Sequence, residues 1–223
     1  MKDHPILFSG AMVRALLAGT KTQTRRVIKP QPEHLQVYDW KGKRLHDSEY
    51  RHWCWKGHVG ADNWDDITAQ LGPFLPYQTG DQLYVRETWV HTGAGVWTVA
   101  DAMRWPGRSQ IRYRADGQGP ADQWFPSIHM PRWASRITLT VTNVRIERVQ
   151  DISEEDANAE GAEPTTCANA EPPQDGFPSH RSGFALLWNS LNAARGYGWD
   201  ANPWVVAVTF ATHLRNIDDP EAA

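Results

Sequence analysis

Six consecutive residues near the start of the chain, Lys21-Thr22-Gln23-Thr24-Arg25-Arg26, bring together an amine, two hydroxyls and two guanidinium groups. A hydroxyl and an amine at this spacing suit a nucleophile with its base. Thr24 supplies the oxygen, and Lys21 removes its proton or polarises the bond under attack. That role asks the lysine pKa, ordinarily about 10.4, to be lowered by burial or by neighbouring cations, and Arg25 and Arg26 are such cations. A basic helix-to-strand connection, in which the threonines only satisfy backbone groups, uses the same residues. Residue types alone leave both readings open.

The elements around the motif decide whether its groups can meet. Met12, Val13, Leu16 and Leu17 recur at helical spacing, which predicts a short helix over residues 10–18, capped by Ser9 and ended by a left-handed Gly19. Thr22, Thr24 and Arg26 then alternate with Gln23 and Arg25, the pattern of a polar strand. In a fully extended strand Lys21 and Thr24 point to opposite faces, so they converge only if Lys21 still belongs to the turn.

Further along, residues 83–90 read as one strand with Arg86 and Glu87 at its exit, either a surface charge pair or a hold on a substrate edge. Residues 91–110 read as loop and 110–115 as another strand. Arg132 and Trp133, in a proline-rich stretch, have the composition of a base-stacking platform, though such a pair also suits an internal cation–π contact. Ile137, Leu139 and Val141 alternate in one parity, and Val144 and Ile146 in the other, which predicts a bulge at Thr142-Asn143. Ser153 with Asp156 begins an acidic helix in the manner of a capping box, which accounts for Glu154 to Asp156. Glu160, two turns on beside Gly161, is not explained by capping and is the third catalytic candidate. Residues 163–179 hold four prolines without periodicity and read as a lid or as disorder. Phe184, Leu187, Trp188 and Leu191 mark an amphipathic helix with Ser182 near its cap, and Trp204 to Phe210 a closing strand.

The 223 residues carry a net charge of −3, unevenly spread. Residues 21–56 hold nine Lys/Arg against four Asp/Glu, residues 104–148 eight against three, and residues 151–176 eight acids with no Lys or Arg. Basic segments beside an acidic one suit a polyanionic ligand on one face, or are ordinary solvated faces. Two cysteines far apart imply no disulfide framework and fit a reducing cytoplasm. No apolar run reaches the roughly 20 residues of a membrane span, and no signal-peptide core is seen, so no membrane partner is expected. His52, Cys54 and His58, with His46, could be metal ligands, but their spacing fits no zinc pattern and no metal or cofactor is expected.

Leu17-Ala18-Gly19-x-Lys21-Thr22-x-Thr24-x-Arg26 resembles the N-terminal signature of the ASCH domain family, a branch of the PUA-like β-barrel folds. It is most similar to the small bacterial N(4)-acetylcytidine amidohydrolases of that family. Gly80-Asp81-Gln82-Leu83-Tyr84-Val85 resembles the family's second signature, and Trp204 to Phe210 its final strand. The resemblance implies an α+β fold: a PUA-like mixed β-barrel of five to seven strands, with short flanking helices over 10–18 and 153–161 near one opening. It also implies catalysis by Lys21, Thr24 and Glu160. The amidohydrolases are shorter, and Val27 to Thr79 intervenes here between the first two signatures. In layout the chain is more similar to the larger ASCH proteins of phages and prophages. One domain over 1–215 is expected, with insertions at about 30–79 and 162–182 and a flexible tail over 216–223.

The expected function is therefore hydrolysis of the amide of N(4)-acetylcytidine or a related modified nucleoside. Arg26, Arg86, Glu87, Arg132 and Trp133 are candidates for holding it. In a variant scheme Glu160 activates a water and Lys21 stabilises the oxyanion. The competing expectation is a non-catalytic module that binds RNA or a modified nucleobase through the arginines and an aromatic stack. A phage-encoded protein acting on a host protein through its Trp-rich insertions is a third.

Overall fold

A computed structural model describes residues 2–34, 52–55, 58–61, 71, 75–117, 123–166 and 178–219. The chain sorts into two compact units: Met1–Thr22, Thr79–Asn143 and Thr209–Ala223 form the first, and Gln23–Gln78 with Val144–Val208 the second.

In the first unit, β1 (Asp3–Leu7) lies parallel to β6 (Gln82–Arg86), in register from Asp3 opposite Gln82 to Leu7 opposite Arg86. β6 in turn pairs antiparallel with the start of β9 (Thr138–Arg148), Tyr84 opposite Thr138. Alternating apolar residues make this arrangement worth forming: Ile6, Leu83, Val85, Leu139 and Val141 are all buried. Between β1 and the motif runs α1 (Gly10–Leu17), which buries Val13 and Leu16. Ser9 caps it as expected, its hydroxyl accepting from the Met12 N–H at 3.4 Å, and Gly19 takes φ +74° just beyond its end.

The predicted strand over 83–90 is two strands. The chain leaves β6 at Arg86, and β7 (Trp89–His91) pairs instead with β8 (Ile111–Tyr113). Glu87 sits at the break, on the buried face that Leu83, Val85 and Trp89 share, and pairs there with Arg136 at 2.9 Å. Residues 91–110, expected as loop, contain α2 (Val99–Arg104), opened by a reciprocal capping box between Thr98 and Asp101. Trp89 anchors the cluster beneath, edge-on to Phe125 at 5.2 Å and to Trp133 at 6.4 Å. Residues 216–219, expected as frayed tail, are docked in this unit. Asn216 is buried and donates to the Ser135 carbonyl at 2.6 Å, and Asp218 and Asp219 bind Arg132 and Arg108.

In the second unit, β2 (Gln23–Val27) leads to a small antiparallel sheet of β3 (Glu33–His34), β4 (His52–Trp55) and β5 (His58–Ala61). The hairpin expected near Lys41-Gly42, and His46, lie outside the described residues, as do the side chains of His52, Cys54 and His58. Two helices follow β9, α3 (Glu154–Ala159) and α4 (His180–Asn192), before β10 (Trp204–His213). Their shared core is Val149, Ile152, Ala157, Phe184, Ala185, Trp188, Trp199 and Val205. Ser153 caps α3, accepting from the Asp156 N–H at 3.1 Å. The cap of α4 is Ser179, with Ser182 one turn inside and bonded to it, rather than Ser182 itself. Of the 163–179 segment, Thr165 and Ser179 exchange two backbone hydrogen bonds at 3.1 Å, and 167–177 lie outside the described residues.

The principal sheet has the order β1-β6-β9-β10-β2. The change of parity predicted at Thr142-Asn143 falls where both residues are exposed in succession, inside an unbroken β9. Among the described residues no pairing joins β1 to β2, so the sheet is open and the fold is mixed α+β. None of the described helices is long and apolar enough to cross a membrane.

One contact in the second unit depends on glycine. A Cβ at Gly183, in the first turn of α4, would lie 1.8 Å from the Glu163 carbonyl oxygen and 3.0 Å from its carbon. Gly183→Ala must separate helix from backbone, and it destabilises the protein by about 1–3 kcal/mol or more, read as a fall in thermal midpoint. An unchanged midpoint would refute this close approach.

Candidate functional site

Lys21 belongs to the turn. Its N–H, like that of Thr20, donates to the Ala15 carbonyl, at 3.1 and 3.0 Å, and β2 begins only at Gln23. Its side chain is fully buried in the first unit, with Nζ 5.5 Å from the centre of the Phe8 ring. Burial of an ammonium is costly and is rarely kept without a use. Thr24 follows in the second unit, 1% exposed, and its Oγ1 has no hydrogen-bond partner among the described residues. A buried hydroxyl left without a partner costs about 1–3 kcal/mol. The cost is the kind that functional sites carry.

Across the β2 pleat from Thr24 and Arg26 stand Gln23 and Arg25, and these hold the strongest network of the second unit. The Arg25 side chain is wholly buried. Its Nε donates to Glu147 Oε1 at 2.7 Å, Nη2 to Asp156 Oδ2 at 2.9 Å, and Nη1 to Glu160 Oε1 and Gln23 Oε1, both at 3.3 Å. Gln23 Nε2 donates to Asp156 Oδ1 at 2.7 Å. Arg145, from β9, closes the network onto Glu147 Oε2 at 2.6 Å and onto Asp156. Its own pKa is pulled down by burial but held above the usual value by these two carboxylates. The Phe184 ring of α4 covers the Arg25 guanidinium, 5.9 Å away. Asp156 therefore spends its carboxylate on Arg25, Arg145 and Gln23, not on the reciprocal half of a capping box.

Glu160 is 4% exposed and forms the C-terminal cap of α3, its N–H bonded to the Asp156 carbonyl. Arg26 is half-buried beyond it. Burial lowers its guanidinium pKa, and the negative charge of Glu160 is the largest influence in the opposite direction.

The remaining candidates lie in the first unit and hold protein groups there. Arg86 donates to the carbonyls of Met130, at 2.8 Å, and Ile128, bracing the turn before Arg132. Glu87 is buried against Arg136, which grips both its oxygens at 2.9 and 3.1 Å and also binds Asp116. Burial raises the Glu87 pKa, opposed by the hydrogen bonds and charge of Arg136. Tyr113, stacked 3.9 Å from that guanidinium, is pushed up to about 12 by burial. Arg132 pairs with Asp3 and Asp218, each at 2.7 Å, and Trp133 packs edge-on against Trp89. The pair serves ion pairing and packing, with the Arg132 side chain still 37% exposed and Trp133 partly exposed.

Sequence reasoning missed Gln23, Arg145 and Glu147, and it used Arg25 as a cation near Lys21 or as a phosphate contact, not as the centre of a carboxylate network. The alternation along β2, which separates Gln23 and Arg25 from Thr24 and Arg26, was the available signal. Among the described residues no group of three His, Cys, Asp or Glu side chains is arranged to hold a metal ion. The carboxylates that do cluster are bound to arginines. Compared with protein-family models, curated proteins and solved structures, the chain matches none.

Proposed function

We propose that the protein is an ASCH-type member of the PUA-like folds and acts in the cytoplasm as an amidohydrolase on N(4)-acetylcytidine or a related acylated nucleoside. The observation that carries this reading is Thr24, a buried hydroxyl with no partner among the described residues, placed one strand residue beyond a turn that holds a buried lysine. The mixed sheet, parallel at β1-β6 and antiparallel at β6-β9, is compatible with the α+β class of that assignment.

In the proposed reaction Thr24 Oγ1 adds to the amide carbonyl carbon while its proton passes to the neutral Lys21 amine. The C–N bond then breaks as the proton taken up by Lys21 passes to the departing nitrogen, directly or relayed by the Glu160 carboxylate, which also positions that nitrogen. Water next cleaves the threonyl ester, releasing the carboxylic acid and restoring the hydroxyl. The test is hydrolysis of N(4)-acetylcytidine, followed by absorbance, for wild type beside Lys21→Ala, Thr24→Ala and Glu160→Ala. Each folded variant is expected to lose at least about 100-fold in turnover. Absence of turnover by wild type overturns the reading.

A second reading, binding of RNA or a modified nucleobase, is favoured by one observation. Trp97 and Trp105, on either side of α2, are 70% and 69% exposed, and Arg104, Arg112 and Arg114 nearby are exposed too. Such rings suit base stacking. Most other arginines of residues 104–148 spend their donors inside the protein, on Asp219, Asp3, Asp218, Glu87, Asp116, Glu147 and Asp156. Oligonucleotide binding that weakens steeply with salt and is lost in Trp97→Ala and Trp105→Ala, in a protein without turnover, would establish this reading instead.

A further inference from the structure

Glu160 occupies a position that by itself disfavours a carboxylate. It is buried, and it lies at the C-terminal end of α3, where the helix presents its negative pole. Its burial as an anion requires a cation that is itself immobile. Arg25 fits that requirement in three respects. Its side chain is wholly shielded from solvent, its Nη1 reaches Glu160 Oε1 at 3.3 Å, and its other two nitrogens are fixed by carboxylates on two separate elements. Glu147 holds Nε from β9, and Asp156 holds Nη2 from α3 itself.

The planar guanidinium transmits this geometry. A fork whose Nε and Nη2 are pinned cannot rotate, so the N–H directions of Nη1 are fixed, toward Glu160 Oε1 and Gln23 Oε1. Phe184 closes the face of the plane. Arg145 holds Glu147 and Asp156 from the far side, so the pinning carboxylates are pinned in turn. Glu147, Asp156 and Glu160 face Arg25 and Arg145, and the charge of Arg26 also acts on Glu160.

We propose that Arg25 is the positioning residue for Glu160: it fixes one carboxylate oxygen, and so the direction in which Glu160 meets the leaving nitrogen. Arg25 does not touch substrate in this scheme. The inference rests on the amidohydrolase reading above, with Glu160 acting in the chemical step. It predicts that Arg25 and Glu160 act as a unit, so that losing both costs little more than losing either.

The experiment is a double-mutant cycle on N(4)-acetylcytidine hydrolysis with Arg25→Lys, Glu160→Gln and the double variant, each checked for folding by circular dichroism. Lysine keeps the charge but not the fork. Arg25→Lys is expected to lower kcat by about 10- to 100-fold with KM within about 3-fold of wild type, as for a group that acts only in the transition state. The double variant should be no slower than about 3-fold below the slower single one. Should Arg25→Lys not fold, Asp156→Asn replaces it, since it loosens Nη2 while leaving both Arg25 and Glu160 in place; it is expected to lower kcat and to show the same lack of additivity. Losses that multiply in the double variant, or a kcat within about 3-fold of wild type in Arg25→Lys, overturn the positioning role while wild-type turnover still upholds the amidohydrolase reading. Absence of wild-type turnover removes both.

Discussion

Thr24→Val is expected to abolish the proposed hydrolysis of N(4)-acetylcytidine and at the same time to leave the protein more stable, by about 1 kcal/mol. The two halves of this expectation come from the same atom. Oγ1 of Thr24 is buried with no hydrogen-bond partner among the described residues, so replacing it by a methyl group breaks no protein hydrogen bond and removes the cost of a desolvated hydroxyl. The β-branched shape that suits the strand is kept. Loss of the nucleophile should cost at least about 1,000-fold in kcat. Paired measurements of turnover and of urea unfolding decide the matter. A variant that is inactive but clearly less stable would show that the hydroxyl serves the fold. An active variant would remove Thr24 from the chemistry.

The second large effect concerns the fold. Arg25→Met should destabilise the protein by about 3–5 kcal/mol, because it strips the central cation from Glu147, Asp156 and Glu160 and leaves their charges facing one another. Arg145 still pairs with Glu147 and Asp156, but Glu160 loses its ion pair with Arg25 in a buried position at the end of α3. Methionine fills much of the volume under Phe184, so the loss is one of charge compensation more than of packing. Equilibrium unfolding in urea reads it directly. A loss under about 1 kcal/mol would mean that the carboxylates find other partners and that Arg25 is not the centre of the network.

These expectations differ in how much of them could be read from the chain. The motif from Lys21 to Arg26 was visible because its residues are adjacent. The cap at Ser9, the left-handed Gly19 and the cap at Ser153 were visible because helix ends are governed by residues within one turn of each other. Alternation of Leu139 and Val141 identified the buried face of β9 for the same reason, since a strand's two faces are written at period two. The break between β6 and β7 was not visible. The alternation of buried residues runs through it, and what changes there is the partner strand, from β9 for β6 to β8 for β7. The short helix α2 was hidden by its glycine- and tryptophan-bearing surroundings, although its Thr98-x-x-Asp101 box is a local signal that a closer reading could have used.

By itself the sequence determined the candidate residue types, their spacing, and the helix end and polar strand on either side of Lys21, all consequences of short-range backbone geometry, while the hydrogen bond from the Lys21 N–H to the Ala15 carbonyl decided that Lys21 belongs to the turn. Only the tertiary structure decided which charges meet. Arg25 lies 122, 131 and 135 residues from Glu147, Asp156 and Glu160, and nothing periodic links them. Charged side chains pair through space, at ranges of a few ångströms, once hydrophobic burial has brought their elements together. The same burial sealed Lys21 and Thr24 from solvent, and so turned a polar stretch of chain into groups with the environment that catalysis asks for.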